Sequence, residues 1–307
     1  NVTSAPGCET LLEKDYRDLP FIMEQMGMEA WSTEKRQQEM EKAEKLAQQA
    51  DVAVLALGEA VVQGGEGGSR TCLDLPGDQL ELLRRVREKA AKVVVVLFGG
   101  RPLVLDEVGG LSDALLEVWF PGTEGGHAIA DVLFGKENPS GRLSMSMPRR
   151  VGQMPLYYNH FRTGRPYDGT TPNRFFSRYT DCDNEPLYPY GYGLSYHRAE
   201  YSHIMHRESP LTVKADITNT GDMAGVEAVQ LYIRDVAGSV VRPVKELKGV
   251  QLVSLEAGET KTVEFVITED MLRFYGKDME YRSEAGKFQV MVAPHSGCEM
   301  QAEFILE

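Results

Sequence analysis

Between residues 51 and 135, short continuous apolar runs alternate with stretches whose apolar residues recur at helical spacing. The runs at 52–57, 93–98 and 115–120 are rich in valine and leucine, and glycine follows each within two residues. Such runs predict strands buried on both faces of a parallel sheet. Between them, Leu80, Leu83, Val86 and Ala90 mark one face of a helix predicted over 78–91, and Ile129, Val132 and Leu133 mark another over 125–134. The alternation predicts βαβ units with helices on both sides of the sheet. Upstream, 33–50 reads as a charged, solvated helix opened by Ser32 or Thr33 as N-cap with acidic residues in its first turn.

The pattern then changes twice. From 154 to 195 the chain is rich in Pro, Tyr, Gly and Asn, which predicts a loop pinned by its aromatic residues. Tyr188, Tyr190, Tyr192 and Tyr196 suit packing at a domain junction better than stacking on a ligand. After Glu200 the period becomes two: Val213, Ala215 and Ile217, then Val229, Leu231 and Ile233, then Val263, Phe265 and Ile267, then Phe288, Val290 and Val292. Turn signals at 219–221, 257–259 and 284–286 separate these runs, and about seven short strands predict a β-sandwich. The expected fold class is α/β: a parallel-sheet α/β domain over 1–155, a connecting segment over 156–200, and an all-β sandwich over 201–307.

A length of 307 residues accommodates two domains, and 42% apolar residues exclude disorder as the default. The formal net charge of -13 leaves no basic stripe for nucleic acid. Cys8, Cys72, Cys182 and Cys298 are scattered without zinc or disulfide spacing and read as buried or idle thiols. No membrane span and no signal peptide are legible. The absence of an initiator Met fits a trimmed or processed product, or one piece of something longer.

Chemistry concentrates in three glycine-rich segments, 58–70, 99–102 and 121–126, which parallel strands would bring to one sheet edge where such folds bind ligands. No phosphate-binding glycine pattern is present, and Glu66 would repel a phosphate. Glu66, between Gly65 and Gly67, is the candidate proton donor, and an ordinary solvated loop acid is the competing reading. Glu59, nearer the strand end, is the fallback. Glu124 reads as a first-turn acid favoured by a helix dipole. Arg70 either holds a substrate hydroxyl or, more commonly for such a residue, pairs with a neighbouring acid. Trp119 reads as a strand-end core residue. No nucleophile triad is legible, since His127 opens a helix and His160, His197, His203, His206 and His295 have no matching Ser or Cys context.

Taken together and in order, the segments 50–59, 65–76, 93–102, 119–126, 138–143, 187–196, 219–221, 229–233 and 242–249 resemble the C-terminal half of a glycoside hydrolase family 3 enzyme of the β-glucosidase type. The resemblance covers residue 40 to the end. It implies a partial parallel-sheet α/β sandwich, expected to lack its first strand, followed by an all-β fibronectin type III-like sandwich domain, both downstream of a TIM-like barrel that carries an Asp nucleophile and most of the glycone site. A barrel takes about 250 residues, so the nucleophile is expected on an absent or separate N-terminal domain or chain, and this chain alone is expected to be inactive.

The implied activity is retaining hydrolysis of terminal non-reducing β-D-glucosyl residues, with Glu66 matching the family's general acid/base. A β-glucoside or oligosaccharide is the implied substrate, and no metal or organic cofactor is implied. The alternative is a non-catalytic carbohydrate-binding or oligomerisation module, and a homo-oligomer is compatible with both readings. Nucleic acid and membrane are not expected partners. Few cysteines and no visible signal favour a bacterial cytoplasm, with a periplasmic or secreted location as the alternative.

Overall fold

The computed structural model describes the chain except residues 12–19, 26, 28, 168, 171, 172, 209, 210 and 300, and the side chains at 22 and 206–208. It divides into two compact units, Asn1–Ile129 with Pro148–Gly152, and Ala130–Met147 with Gln153–Glu307.

The first unit is built on a parallel sheet of β1 (Ala53–Gly58), β2 (Val93–Phe98) and β3 (Ala114–Trp119) in the order β1-β2-β3. Val54 stands beside Val94 in β2, and Val94 beside Ala114 in β3. The valine-rich β2 is central, and Val93, Val95, Val96 and Leu97 are at most 2% exposed. Helix α1 (Thr33–Gln49) is capped by Ser32, whose hydroxyl accepts from the Lys35 N–H at 3.2 Å. Helix α2 (Gln79–Lys89) buries Gln79, Leu82, Leu83 and Val86 and packs against both α1 and β1.

One expectation needs correction. Burial on both faces holds for β2, but not for β1, where Leu55 and Leu57 are buried while Val54 is 53% exposed. Side chains alternate across a strand, and α2 covers one face of β1. In β3 the last five residues are only half-buried.

The second unit is an antiparallel sandwich. A three-stranded sheet, β4-β5-β8, comprises β4 (Ala199–Glu208), β5 (Leu211–Asn219) and β8 (Thr260–Val266). A four-stranded sheet, in the order β12-β11-β6-β7, comprises β6 (Gly225–Asp235), β7 (Glu246–Leu255), β11 (Gly286–Ala293) and β12 (Ala302–Leu306). A short ribbon of β9 (Phe274–Tyr275) and β10 (Tyr281–Arg282) completes the described strands. The residues with period two are the core: Val213, Ala215, Ile217, Val229, Leu231, Val290 and Val292 are all fully buried. Asn219, also fully buried, closes the predicted turn. Its amide donates to the carbonyls of Met223 and Glu256 at 2.8 and 3.1 Å, and its Oδ1 accepts from the Gly221 N–H.

The tyrosine-rich segment packs on this sandwich. Tyr190 stacks on Tyr158 at 4.3 Å between ring centroids, and Tyr158 meets Tyr232 edge-on at 5.9 Å. A buried ionic group lies in the same unit: Arg142 pairs with Glu227 at 2.8 Å, and Tyr201 donates its hydroxyl to the other Glu227 oxygen at 2.8 Å.

Candidate active site

The carboxyl end of β1 is set by Gly58. Its φ is +128°, and a Cβ there would lie 1.8 Å from the Phe98 carbonyl oxygen, so only glycine allows the two strands to approach. The Gln79 side chain, 1% exposed, holds this glycine from the helix side. Its Oε1 accepts from the Gly58 N–H at 2.6 Å and its Nε2 donates to the Gly58 carbonyl at 2.8 Å. Gln79 gave no sequence signal, because a polar residue in a first helical turn looks like any solvated position.

Glu59 follows. Its N–H extends the β1–β2 ladder by donating to the Phe98 carbonyl at 2.8 Å. Its carboxylate is fully buried between two arginines: Arg70 Nη1 at 2.6 Å and Arg101 Nε at 3.1 Å, with the Gly100 N–H at 3.4 Å. Both oxygens are engaged, leaving none facing solvent. Arg70 also donates Nη2 to the Asp74 carbonyl at 3.0 Å, so its guanidinium is committed within the loop.

Beyond a single helical turn at Val61–Gly64, the chain makes a β-turn over 65–68. The Gly68 N–H donates to the Gly65 carbonyl at 3.0 Å, and Gly67 has φ +75°, the left-handed value a type II turn requires at its third position. Glu66 therefore occupies the second position, and it is exposed. Arg101 Nη2 donates to the carbonyls of Gln63 and Gly68, each at 2.6 Å.

The loops after β1 and β2 thus meet through Glu59 and Arg101. Phe120, at the end of β3, joins them: a Cβ on Gly64 would lie 3.1 Å from its ring, and one on Gly100 would lie 2.9 Å away. The neighbouring Trp119 is half-buried with φ +51°, and its N–H donates to Glu117 Oε1 at 3.0 Å. Burial pushes the Glu117 carboxyl up to about 7, against which the Trp119 N–H pulls weakly down. Glu124 sits beside the helix at Gly125–Leu133, its carbonyl accepting from Ala128, and its carboxylate contacts the exposed His127 at 2.8 Å. Among the described residues no group of three His, Cys, Asp or Glu side chains could hold a metal ion, and no helix is long and apolar enough to cross a membrane.

Residues 4–196 match the glycosyl hydrolase family 3 C-terminal domain, and residues 227–296 match the fibronectin type III-like domain. The chain belongs to glycosyl hydrolase family 3. Among its relatives, the periplasmic β-glucosidase of Salmonella typhimurium is 45% identical over 273 residues, covering 87% of this chain and 36% of that protein. A putative β-xylosidase of Formosa agariphila is 35% identical over 279 residues, covering 86% and 35%. The crystal structure of the Listeria innocua β-glucosidase in complex with glucose superposes with a TM-score of 0.81 at 43% identity, over 90% of this chain and 38% of that one. This family 3 chain therefore spans about a third of the length of the curated relatives it matches.

Proposed function

We propose that the chain is the C-terminal part of a retaining β-glucosidase, with Glu66 as its general acid/base and the nucleophilic Asp on an N-terminal barrel domain. The observation that carries this reading is the contrast between two neighbouring acids. Glu59 has both oxygens bound by Arg70, Arg101 and a backbone N–H inside the fold, whereas Glu66 is exposed at the head of a braced turn. A proton donor must reach the leaving oxygen of a bound substrate, and of the two only Glu66 is free to do so. Arg70 then serves the architecture of the loop, through Glu59, and not a substrate hydroxyl.

Retaining glycosidases place two carboxyls about 5 to 5.5 Å apart. In the first step the Asp carboxylate attacks the anomeric carbon while Glu66 gives its proton to the departing oxygen. In the second, Glu66 takes a proton from water as that water displaces the Asp and releases the sugar. The name of the Salmonella relative supports the periplasmic alternative over the cytoplasmic one.

The test is Glu66→Gln in the full-length protein. Hydrolysis of an alkyl β-glucoside, which needs protonation of its leaving group, should fall about 10²- to 10⁴-fold. A dinitrophenyl glucoside should still form the glycosyl-enzyme and then stall, with azide restoring turnover. Near-normal hydrolysis of both substrates would refute the assignment.

A further inference from the structure

The turn that carries Glu66 has one backbone hydrogen bond of its own to hold it, from the Gly68 N–H to the Gly65 carbonyl at 3.0 Å. Gly64, Gly65, Gly67 and Gly68 have no side chains, and Glu66 and Ser69 are exposed. A segment so rich in glycine loses more backbone freedom on ordering than any other composition. Its conformation must therefore be fixed from outside the loop.

The outside element is Arg101. One nitrogen of its guanidinium, Nη2, directs a hydrogen bond to each of the carbonyls that bracket the turn, Gln63 and Gly68, both at 2.6 Å. Those two backbones lie so close that a Cβ on Gly68 would fall 2.7 Å from the Gln63 oxygen. The Nε edge of the same planar group is held by Glu59. Glu59 is fixed in turn by Arg70 and by its place immediately after the Gly58 that Gln79 clamps. An unbroken chain of charged and amide contacts thus runs from the end of β1 to the two ends of the Glu66 turn. Arg101 is only 19% exposed and its side chain is directed into the loop's own backbone, so its effect on substrate would be transmitted through the turn.

We infer that Arg101 is a positioning residue for Glu66: its guanidinium staples Gln63 to Gly68 and so fixes where the acid/base carboxyl stands, with Glu59 as the counter-charge that orients the staple. This rests on the assignment of Glu66 made above. Lysine at 101 would keep the charge that faces Glu59, but a single ammonium lacks the planar fork that serves Glu59 on one edge and two carbonyls on the other.

The experiment compares Arg101→Lys, Glu59→Gln and Glu66→Gln in the full-length protein on two substrates, an alkyl β-glucoside and 2,4-dinitrophenyl β-glucoside, reading kcat/KM for each. Displacing an acid catalyst by about 1 Å is worth on the order of 10²-fold. Arg101→Lys should therefore lower kcat/KM for the alkyl glucoside by about 10- to 100-fold. The dinitrophenyl substrate, which leaves without a proton, should change far less. Glu59→Gln should show the same selectivity to a smaller degree, and it keeps the idea testable if Arg101→Lys does not fold. Equal losses on both substrates in both variants would mean a general structural role and overturn the inference, as would unchanged kinetics. The Glu66→Gln arm separates the two claims. If it discriminates between the substrates and the other two variants do not, only the staple is wrong. If it fails to discriminate, the acid/base assignment itself falls.

Discussion

Replacing Glu117 with glutamine should stabilise the protein at alkaline pH and leave it unchanged in acid. The carboxyl lies at the end of β3, accepting the Trp119 N–H, with no cation among its influences, and burial raises it from 4.5 to about 7. Below about pH 4.5 the group is protonated in both folded and unfolded chains and contributes no pH dependence. Between 4.5 and 7 the unfolded chain releases the proton while the folded one retains it, so the folded state loses stability as pH rises. Above 7 the full penalty is present. A shift of 2.5 units corresponds to about 3 kcal/mol, and the partial exposure of the residue reduces this to about 2 kcal/mol after solvent screening. Glutamine has no charge to desolvate, and its Oε1 can still accept from Trp119. Urea or thermal unfolding of Glu117→Gln and the parent from pH 4.5 to 8.5 should give curves that coincide at the acid end and separate through neutrality. The gain should approach about 2 kcal/mol, or roughly 5 °C in Tm. A variant that is neutral or destabilised at pH 8 would show that the carboxylate is solvated or paired in the folded chain and would refute the reasoning.

Two further substitutions follow from the packing. Gly58→Ala should prevent β1 from pairing with β2, because its Cβ would lie 1.8 Å from the Phe98 carbonyl oxygen; a cost on the order of 4 kcal/mol or more, or failure to fold, should appear in circular dichroism and expression yield. Glu227→Ala should leave Arg142 buried without its counter-charge and Tyr201 without its acceptor, costing about 3–5 kcal/mol in denaturant unfolding.

The sandwich unit was legible almost residue by residue, because period two and burial are the same fact in an antiparallel strand: every residue of the runs at 213–217, 229–233 and 288–292 that the alternation selects lies in the core. The parallel sheet was legible in its strands and less so in its faces. An apolar run reports that a strand is apolar, not that both sides are covered, and Val54 on β1 is exposed. At the candidate site the sequence located the three loops and the two acids but could not rank Glu59 against Glu66 by geometry. The deciding partner of Glu59 is Arg101, 42 positions away on another loop, and no local pattern encodes such a pair. Arg70 could be read as an ion-pairing residue, though not as the one that shields Glu59. Gln79 was invisible for the same reason, since its hydrogen bonds run to a glycine 21 positions upstream.

The Arg101 fork measures the loop by its length. Because it grips the main chain at Gln63 and Gly68, the grip depends on the number of residues between them. Inserting or deleting a single residue between the two anchor carbonyls would put one of them out of register with the guanidinium. This stretch should therefore reject changes in the number of its residues, which most surface loops tolerate.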